Sequence, residues 1–296
     1  MSGLKEVRIR IASVKSTQQI TNAMKMVAAS KLRRAQNAII RLRPYAAKLR
    51  EILQNLSSSI ENSKESIFSQ ERKPERILLI ILTSNRGLCG AFNSNVIKAT
   101  LTLLHGNYSS QYNANTVRLI TIGRKGTDFF RKKKYPVMES HDDLFDTLTF
   151  DKVSELAVKL MKIFADKEVD KIELVYNQFK NAAVQRLMVE QYLPITSTAQ
   201  EKSVSASKVE ADYIFEPDKE TIVRELIPKT LRIQLFKAVL DSFASEQGAR
   251  MTAMHQATDN ATNLLRELSL SYNKARQAAI TKELLEIVSG AEALKG

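Results

Sequence analysis

Tryptophan is absent from this 296-residue chain, cysteine occurs once, and there are only 9 Gly and 6 Pro. A lone Cys89 excludes an intramolecular disulfide framework and a cysteine-based zinc site, and suits a reducing compartment. Turn formers this scarce argue against many short strands and predict a few long elements. No apolar run approaches the ~18 residues that a membrane span needs. The opening Met1 to Glu6 leads straight into helical sequence without the apolar segment of a secretory signal. Any membrane association is therefore expected to be peripheral, with no direct insertion. Histidine is scarce as well. His105, His141 and His255 fall in separate segments, with no carboxylate or cysteine at ligand spacing, so neither a metal centre nor a His-based catalytic group is expected.

What is present is an ordinary globular balance, with 44% hydrophobic and 26% charged residues, which predicts a folded chain with a sizeable core. The formal charge of +13 predicts attraction to something acidic: nucleic acid, an anionic bilayer surface or an acidic protein. The charge is unevenly placed. From Leu4 to Leu56 twelve Lys or Arg face only Glu6 and Glu51, whereas from Lys219 to Ser289 ten basic residues nearly cancel eight acidic ones.

Between Leu4 and Leu56 there is one Pro and no Gly. A 4-3 alternation runs through Val7, Ile11, Val14, Gln18, Thr21, Lys25, Ala28, Leu32, Ala35, Ile39, Leu42, Ala46, Leu49, Leu53 and Leu56, the stripe of a helix that pairs with another. Three consecutive positions, Gln18, Thr21 and Lys25, are polar, so something other than a dry seam should meet that stretch. Pro44 is expected to bend the helix, which would be roughly 80 Å long. Helical sequence resumes over Lys219 to Ser289, with Pro228 and Gly248 as interruptions, and would extend about 100 Å. It carries Ala249, Ala253, Ala257 and Ala261 at i+4 spacing, then Leu264, Leu268, Ser271, Ala275, Ala278 and Leu285. Small side chains allow close helix approach, and the simplest arrangement is an antiparallel pair.

Composition changes at Arg76. The apolar run Ile77 to Leu82 reads as a buried strand, followed by Val117 to Ile122 and Ile172 to Tyr176. Helical patterns over Asn95 to Leu104, Lys125 to Lys133 and Asp151 to Ala165 alternate with them, which predicts a mostly parallel sheet. Val184 to Val189 can add an antiparallel edge. The fold class is therefore α/β: a long antiparallel coiled coil of the N- and C-terminal helices plus a small α/β domain. The expected organisation is a helix over 1–56, a connection over 57–74, the α/β domain over 75–195, a second connection over 196–218 and the C-terminal helix over 219–296.

Ser84 to Gly90 and Gly123 to Thr127 each follow a strand and precede a helix, the setting of a phosphate-cradling loop. Both lack the Lys-Ser/Thr that ends a P-loop, and tight strand-to-helix turns are the simpler reading. Cys89 beside Leu88 reads as a small packed hydrophobe. Met24, Met26, Met251 and Met254 read as adaptable packing. The basic N-terminal helix could contact nucleic acid, but Tyr45 is its only aromatic residue, and stacking platforms on single strands need several.

Three separated stretches resemble the gamma subunit family of F-type ATP synthases. They are Arg10 to Val14 with Thr17 to Lys31; Arg86-Gly87-Leu88-Cys89-Gly90; and the C-terminal series Ser245-Glu246, Arg250-Met251, Ala253-Met254, Ala257 to Ala261, Tyr272-Asn273, Arg276-Gln277-Ala278, Ile280-Thr281 and Glu286 to Ala291. The resemblance implies a central rotor without catalytic residues or cofactors of its own. Its paired helices would stand inside a hexamer of alpha and beta subunits. Its α/β domain would lie near the membrane c-ring with the epsilon subunit, on the cytoplasmic face of a bacterial inner membrane. It places Met24 and Lys25 where the shaft faces an acidic lever of beta, and Arg250, Gln277 and Thr281 where it engages a loop of beta. Asn85 stands where the family more often has Asp. The dithiol insertion of chloroplast relatives is missing, so that form of thiol regulation is not expected. The alternatives are a basic coiled-coil nucleic-acid binder and, third, a small nucleotide-binding enzyme on the α/β domain.

Overall fold

A computed structural model describes residues 4–59, 67–70, 72–195 and 219–293. The connection predicted over 196–218 lies outside the described residues, as do 60–66 and 71 of the one predicted over 57–74. The chain runs α1 (Leu4–Ser59), a short 3-10 turn (Ile67–Ser69), β1 (Ile77–Leu82), α2 (Phe92–His105), α3 (Ser109–Asn113), β2 (Val117–Ile122) and α4 (Arg124–Lys132). It continues through β3 (Val137–Ser140), a second 3-10 turn (Asp142–Phe145), α5 (Phe150–Ala165), β4 (Lys171–Phe179), β5 (Gln185–Leu193) and α6 (Lys219–Ala293).

The fold divides into two compact units, one of residues 1–29 with 250–296 and the other of residues 30–249. The second unit is built on a five-stranded sheet in the order β3-β2-β1-β4-β5. β1 pairs parallel with β2 and β4, β2 parallel with β3, and β4 antiparallel with β5. The unbroken apolar run of β1 has a direct explanation, because successive side chains point to opposite faces and both faces are covered. Leu78, Ile80 and Leu82 join one core with Leu160 and Phe164 of α5 and Leu231 and Leu235 of α6. Ile77, Leu79 and Ile81 join the other with Val96 and Leu104 of α2 and Phe130 of α4.

The strands expected at 77–82 and 117–122 form over those residues, and the expected edge strand lies at Gln185–Leu193, antiparallel to β4. The short edge strand β3 was not foreseen: four residues with two apolar positions, all half-buried, carry too little pattern. The expectation that Pro228 and Gly248 interrupt the last helix is corrected, since α6 runs through both. Gly248 has a packing reason instead. A Cβ there would stand 3.1 Å from the Ala182 carbonyl oxygen, so the β4–β5 turn packs directly on the helix backbone. Pro44 likewise lies inside a continuous α1.

In the first unit, α1 and α6 pair antiparallel. As numbering rises from Gln18 to Thr21 on α1, the bonded partner falls from Thr262 to Thr258 on α6.

Candidate functional site

Along α1 the predicted stripe is the inward face. Val7, Thr21 and Ala28 are buried and Ile11, Val14, Gln18 and Lys25 half-buried, while the intervening positions are mostly exposed. The polar stretch is a hydrogen-bonded seam. Gln18 donates from Nε2 to Thr262 Oγ1 at 2.7 Å, and Thr262 donates in turn to the Thr258 carbonyl at 2.8 Å. Thr258 Oγ1 donates to Thr21 Oγ1 at 2.9 Å, and Thr21 donates to the Gln18 carbonyl at 3.0 Å. Every hydroxyl in this ladder has a partner, which removes the penalty of burying Thr21 at 8% exposure. The polar break was visible in the sequence of α1, but its partners were not. Thr258 and Thr262, at i and i+4 on α6, sit one position from the alanine ridge that drew attention.

The pairing register sorts the five residues singled out from sequence into two groups. Met24 and Lys25 are half-buried on α1, just past the Thr21 ladder, and Arg250 is buried on α6 at 8% exposure. Gln277 and Thr281 are exposed, about 40 Å farther along α6 at the helical rise. The structure therefore brings Met24, Lys25 and Arg250 to one end of the pair and does not bring Gln277 and Thr281 to them.

Extending the Gln18–Thr262 register sets Leu4 opposite Arg276 or its neighbours. Beyond this, every residue from Ile280 to Ala293 is exposed. Ala278 and Leu285, expected on the inward stripe, are exposed for this reason, because among the described residues α1 offers no partner there; Ser271 is exposed too. The tip is nevertheless apolar on one side. Ile280, Leu284, Ile287 and Val288 fall at helical spacing, 48% to 68% exposed.

The two Gly-containing turns of the sheet unit interlock. Gly126 N donates to Thr83 Oγ1 at 2.8 Å, Lys125 N to the Ser84 carbonyl at 3.0 Å, and Arg124 N to Asn85 Oδ1 at 3.1 Å. The amides that open α4, which would otherwise hold a phosphate, are thus engaged by the neighbouring turn. Gly123 has φ +100, and a Cβ there would lie 2.1 Å from the Thr83 carbonyl oxygen, so only glycine fits. Asn85 uses both ends of its amide, accepting from Arg124 N and donating from Nδ2 to the Asp142 carbonyl at 2.6 Å. A carboxylate could make only the first bond. Cys89 is buried, with Asn93 Nδ2 3.3 Å from its Sγ.

Acidic groups in the second unit show two opposite environments. Desolvation pushes the buried Asp241 carboxyl of α6 up to about 6, although Lys237 and Arg43 partly offset it, and its Oδ1 has no hydrogen-bond partner. Burial also raises Asp170, but hydrogen bonds from the Arg76 side chain and backbone outweigh that and hold it below the usual carboxylate range. Among the described residues no His, Cys, Asp and Glu cluster could hold a metal, and no helix is long and apolar enough to cross a membrane.

Long terminal helices paired through a polar seam, with a doubly covered, mostly parallel sheet between them in the sequence, define a helical-shaft class of protein. A family model described as ATP synthase matches residues 3–294. The ATP synthase gamma chain of Flavobacterium johnsoniae is 55% identical over 296 residues, covering 100% of both chains. The chain belongs to the family of ATP synthase gamma chains, the central rotor shafts of F-type ATP synthases. The gamma chain of Chlorobaculum tepidum is 48% identical over 295 residues, with 100% of both chains covered. Among solved structures, a chain from the central stalk and c-ring of Tetrahymena thermophila mitochondrial ATP synthase matches with TM-score 0.59 at 25% identity, covering 80% of this chain and 99% of that one. A chain of the Euglena gracilis mitochondrial ATP synthase shares the fold, with TM-score 0.67 at 22% identity over 98% of this chain and 94% of that one. Family membership displaces both the nucleic-acid and the nucleotide-enzyme alternatives.

Proposed function

We propose that this rotor couples proton flow through a membrane ring to ATP synthesis on beta subunits, carrying no catalytic group itself. The exposed apolar stripe at the end of α6 carries this reading. Ile280, Leu284, Ile287 and Val288 stand on a helix that has no described partner beyond Arg276 or so, and an uncovered apolar face of this kind marks an interaction site. A sleeve formed by alpha and beta subunits would cover it, and an apolar contact without directional bonds permits rotation.

The seam below the tip supplies asymmetry. Met24, Lys25 and Arg250 would meet beta at one level, Lys25 facing an acidic lever, and Gln277 and Thr281 would meet a loop of beta at another. Turning a shaft whose faces differ favours a different conformation at each surrounding site in sequence, a population shift imposed mechanically. The sheet unit would contact the epsilon subunit and the c-ring, help regulate ATPase activity and lie peripherally at the cytoplasmic face of a bacterial inner membrane. Reconstitution with alpha and beta subunits tests the reading. Deleting the residues after Gln277 should abolish most coupled ATP synthesis, and a fully coupled complex lacking this chain would overturn it.

A further inference from the structure

We propose that Gln18, Thr21, Thr258 and Thr262 are positioning residues of the rotor: their hydrogen-bond ladder sets how far α1 is rolled about its own axis against α6, and so where the Lys25 ammonium emerges. The inference rests on the reading that Lys25 meets beta.

Apolar packing orients this arm of α1 only weakly. Among the described residues, Val7 and Ala28 are the only buried apolar side chains over 4–29, and Met254 and Ala261 the only ones of α6 over 250–293. Two of the four are alanines, and an apolar contact has no preferred direction. The polar contacts do have one. Gln18 Nε2 donates to Thr262 Oγ1 at 2.7 Å and Thr258 Oγ1 to Thr21 Oγ1 at 2.9 Å, distances that leave little room for movement before the bond is lost. Thr21 is only 8% exposed, so rolling it away from Thr258 strips a buried oxygen of its donor. Polar positions in a helix seam fix alignment in this way, at a cost in stability. Lys25 follows Thr21 by four residues on the same face and is half-buried. The stem of such a lysine lies along the seam and its charge leaves at one side. At about 5 Å from the helix axis, a roll of about 25° carries a side chain by about 2 Å, enough to part an ion pair.

The test is a mutant cycle on the full chain in the assembled synthase, reading coupled ATP synthesis in vesicles. Gln18→Leu/Thr21→Val/Thr258→Val replaces the ladder by apolar groups of similar size. It should lower synthesis about threefold where Lys25 is present and less than about 1.3-fold in a Lys25→Ala background, because residues that act through Lys25 have nothing to position once it is gone. Thr21→Ser/Thr258→Ser, which keeps both hydroxyls, should retain most of the activity. Equal losses in the two backgrounds would show that the ladder only holds the helices together, and no loss in either would show that the roll is set elsewhere; each result overturns the proposal. Should the triple variant fail to assemble, Thr21→Val/Thr258→Val runs the same cycle with the Gln18–Thr262 bond intact. If Lys25→Ala by itself leaves synthesis unchanged, the positioning role falls with the contact it serves, while the rotor reading, tested by deletion after Gln277, stands.

Discussion

In the central strand of the sheet an apolar side chain has only a buried place to go, while along the helix pair it has a buried and an exposed one. Every residue of β1 is buried, divided alternately between the cores on the two faces of the sheet. In the paired segments of α1 and α6 most residues are exposed, and Ile9, Ile20, Met26 and Val27 stand more than half exposed on the outward side of α1. Burial in the sheet unit is dictated by two covered faces, and on the shaft by a single seam. A residue of the first region is accordingly read by its contribution to folding, and one of the second by what the rest of the complex brings to it.

The largest effect that sharpens this contrast is in the sheet. Ile80 is 0% exposed in the core shared by α5 and α6, and Ile80→Ala should lower stability by about 3 to 4 kcal/mol through lost burial and the remaining cavity. Urea denaturation of the purified chain measures it. A loss comparable to that of an exposed shaft position such as Ile20→Ala would break the distinction.

Next is Asp241, where the sheet unit violates its own rule. Its folded-state carboxyl is raised to about 6 from an ordinary value of 3.8, so between those values the folded chain binds more protons than the unfolded one. Stability then falls as pH rises through this window, and the full penalty is present above it. Asp241→Asn should stabilise the chain at pH 8 by about 2 kcal/mol and by little at pH 4. Denaturation midpoints at the two pH values check the sign, and an equal gain at both would show that charge burial is not the cause. Asp170 runs the other way. Its lowered carboxyl contributes stability that is present above the unfolded value and lost as pH falls through the folded one.

The third prediction concerns the interlocked turns. Asn85→Asp keeps the acceptor for Arg124 N but replaces the donor to the Asp142 carbonyl with a second acceptor, and should cost about 1 to 2 kcal/mol. An unchanged denaturation midpoint would show that the turn does not depend on this amide.

How much of this was legible follows the same division. The β1, β2 and β4 strands and the α1 stripe were readable because each is a long run with one period: continuous for a strand buried on both faces, 4-3 for a helix with one seam. The β3 strand and α3 were not, being too short to show any period. Gly248 misled, because glycine in a helix pattern signals either an end or a close approach, and only the position of Ala182 decides which. In the seam, the polar break on α1 could be seen, but its pairing with Thr258 and Thr262 depends on the antiparallel register. That register lies in the relation between two segments more than two hundred residues apart and is carried by neither alone.

The smallest expected change in stability comes with a large change in function, at Lys25. It is half-buried on the inward stripe beyond the Thr21–Thr258 ladder, and the ladder closes without it: Gln18, Thr21, Thr258 and Thr262 satisfy one another. Lys25→Glu therefore removes no hydrogen bond from the seam, and a charge change at such a position should alter stability by about 0.5 kcal/mol or less. If the lysine faces an acidic surface of beta, the same substitution sets like charges together at a contact that recurs during rotation, and coupled ATP synthesis should fall about tenfold in reconstituted complexes that assemble normally. Lys25→Arg, which keeps the charge, should retain most of the activity. If synthesis and assembly decline together in Lys25→Glu, with denaturation shifting in step, the seam near Lys25 belongs with the sheet cores as packing, and the division between the two regions fails at the point where it matters most for rotation.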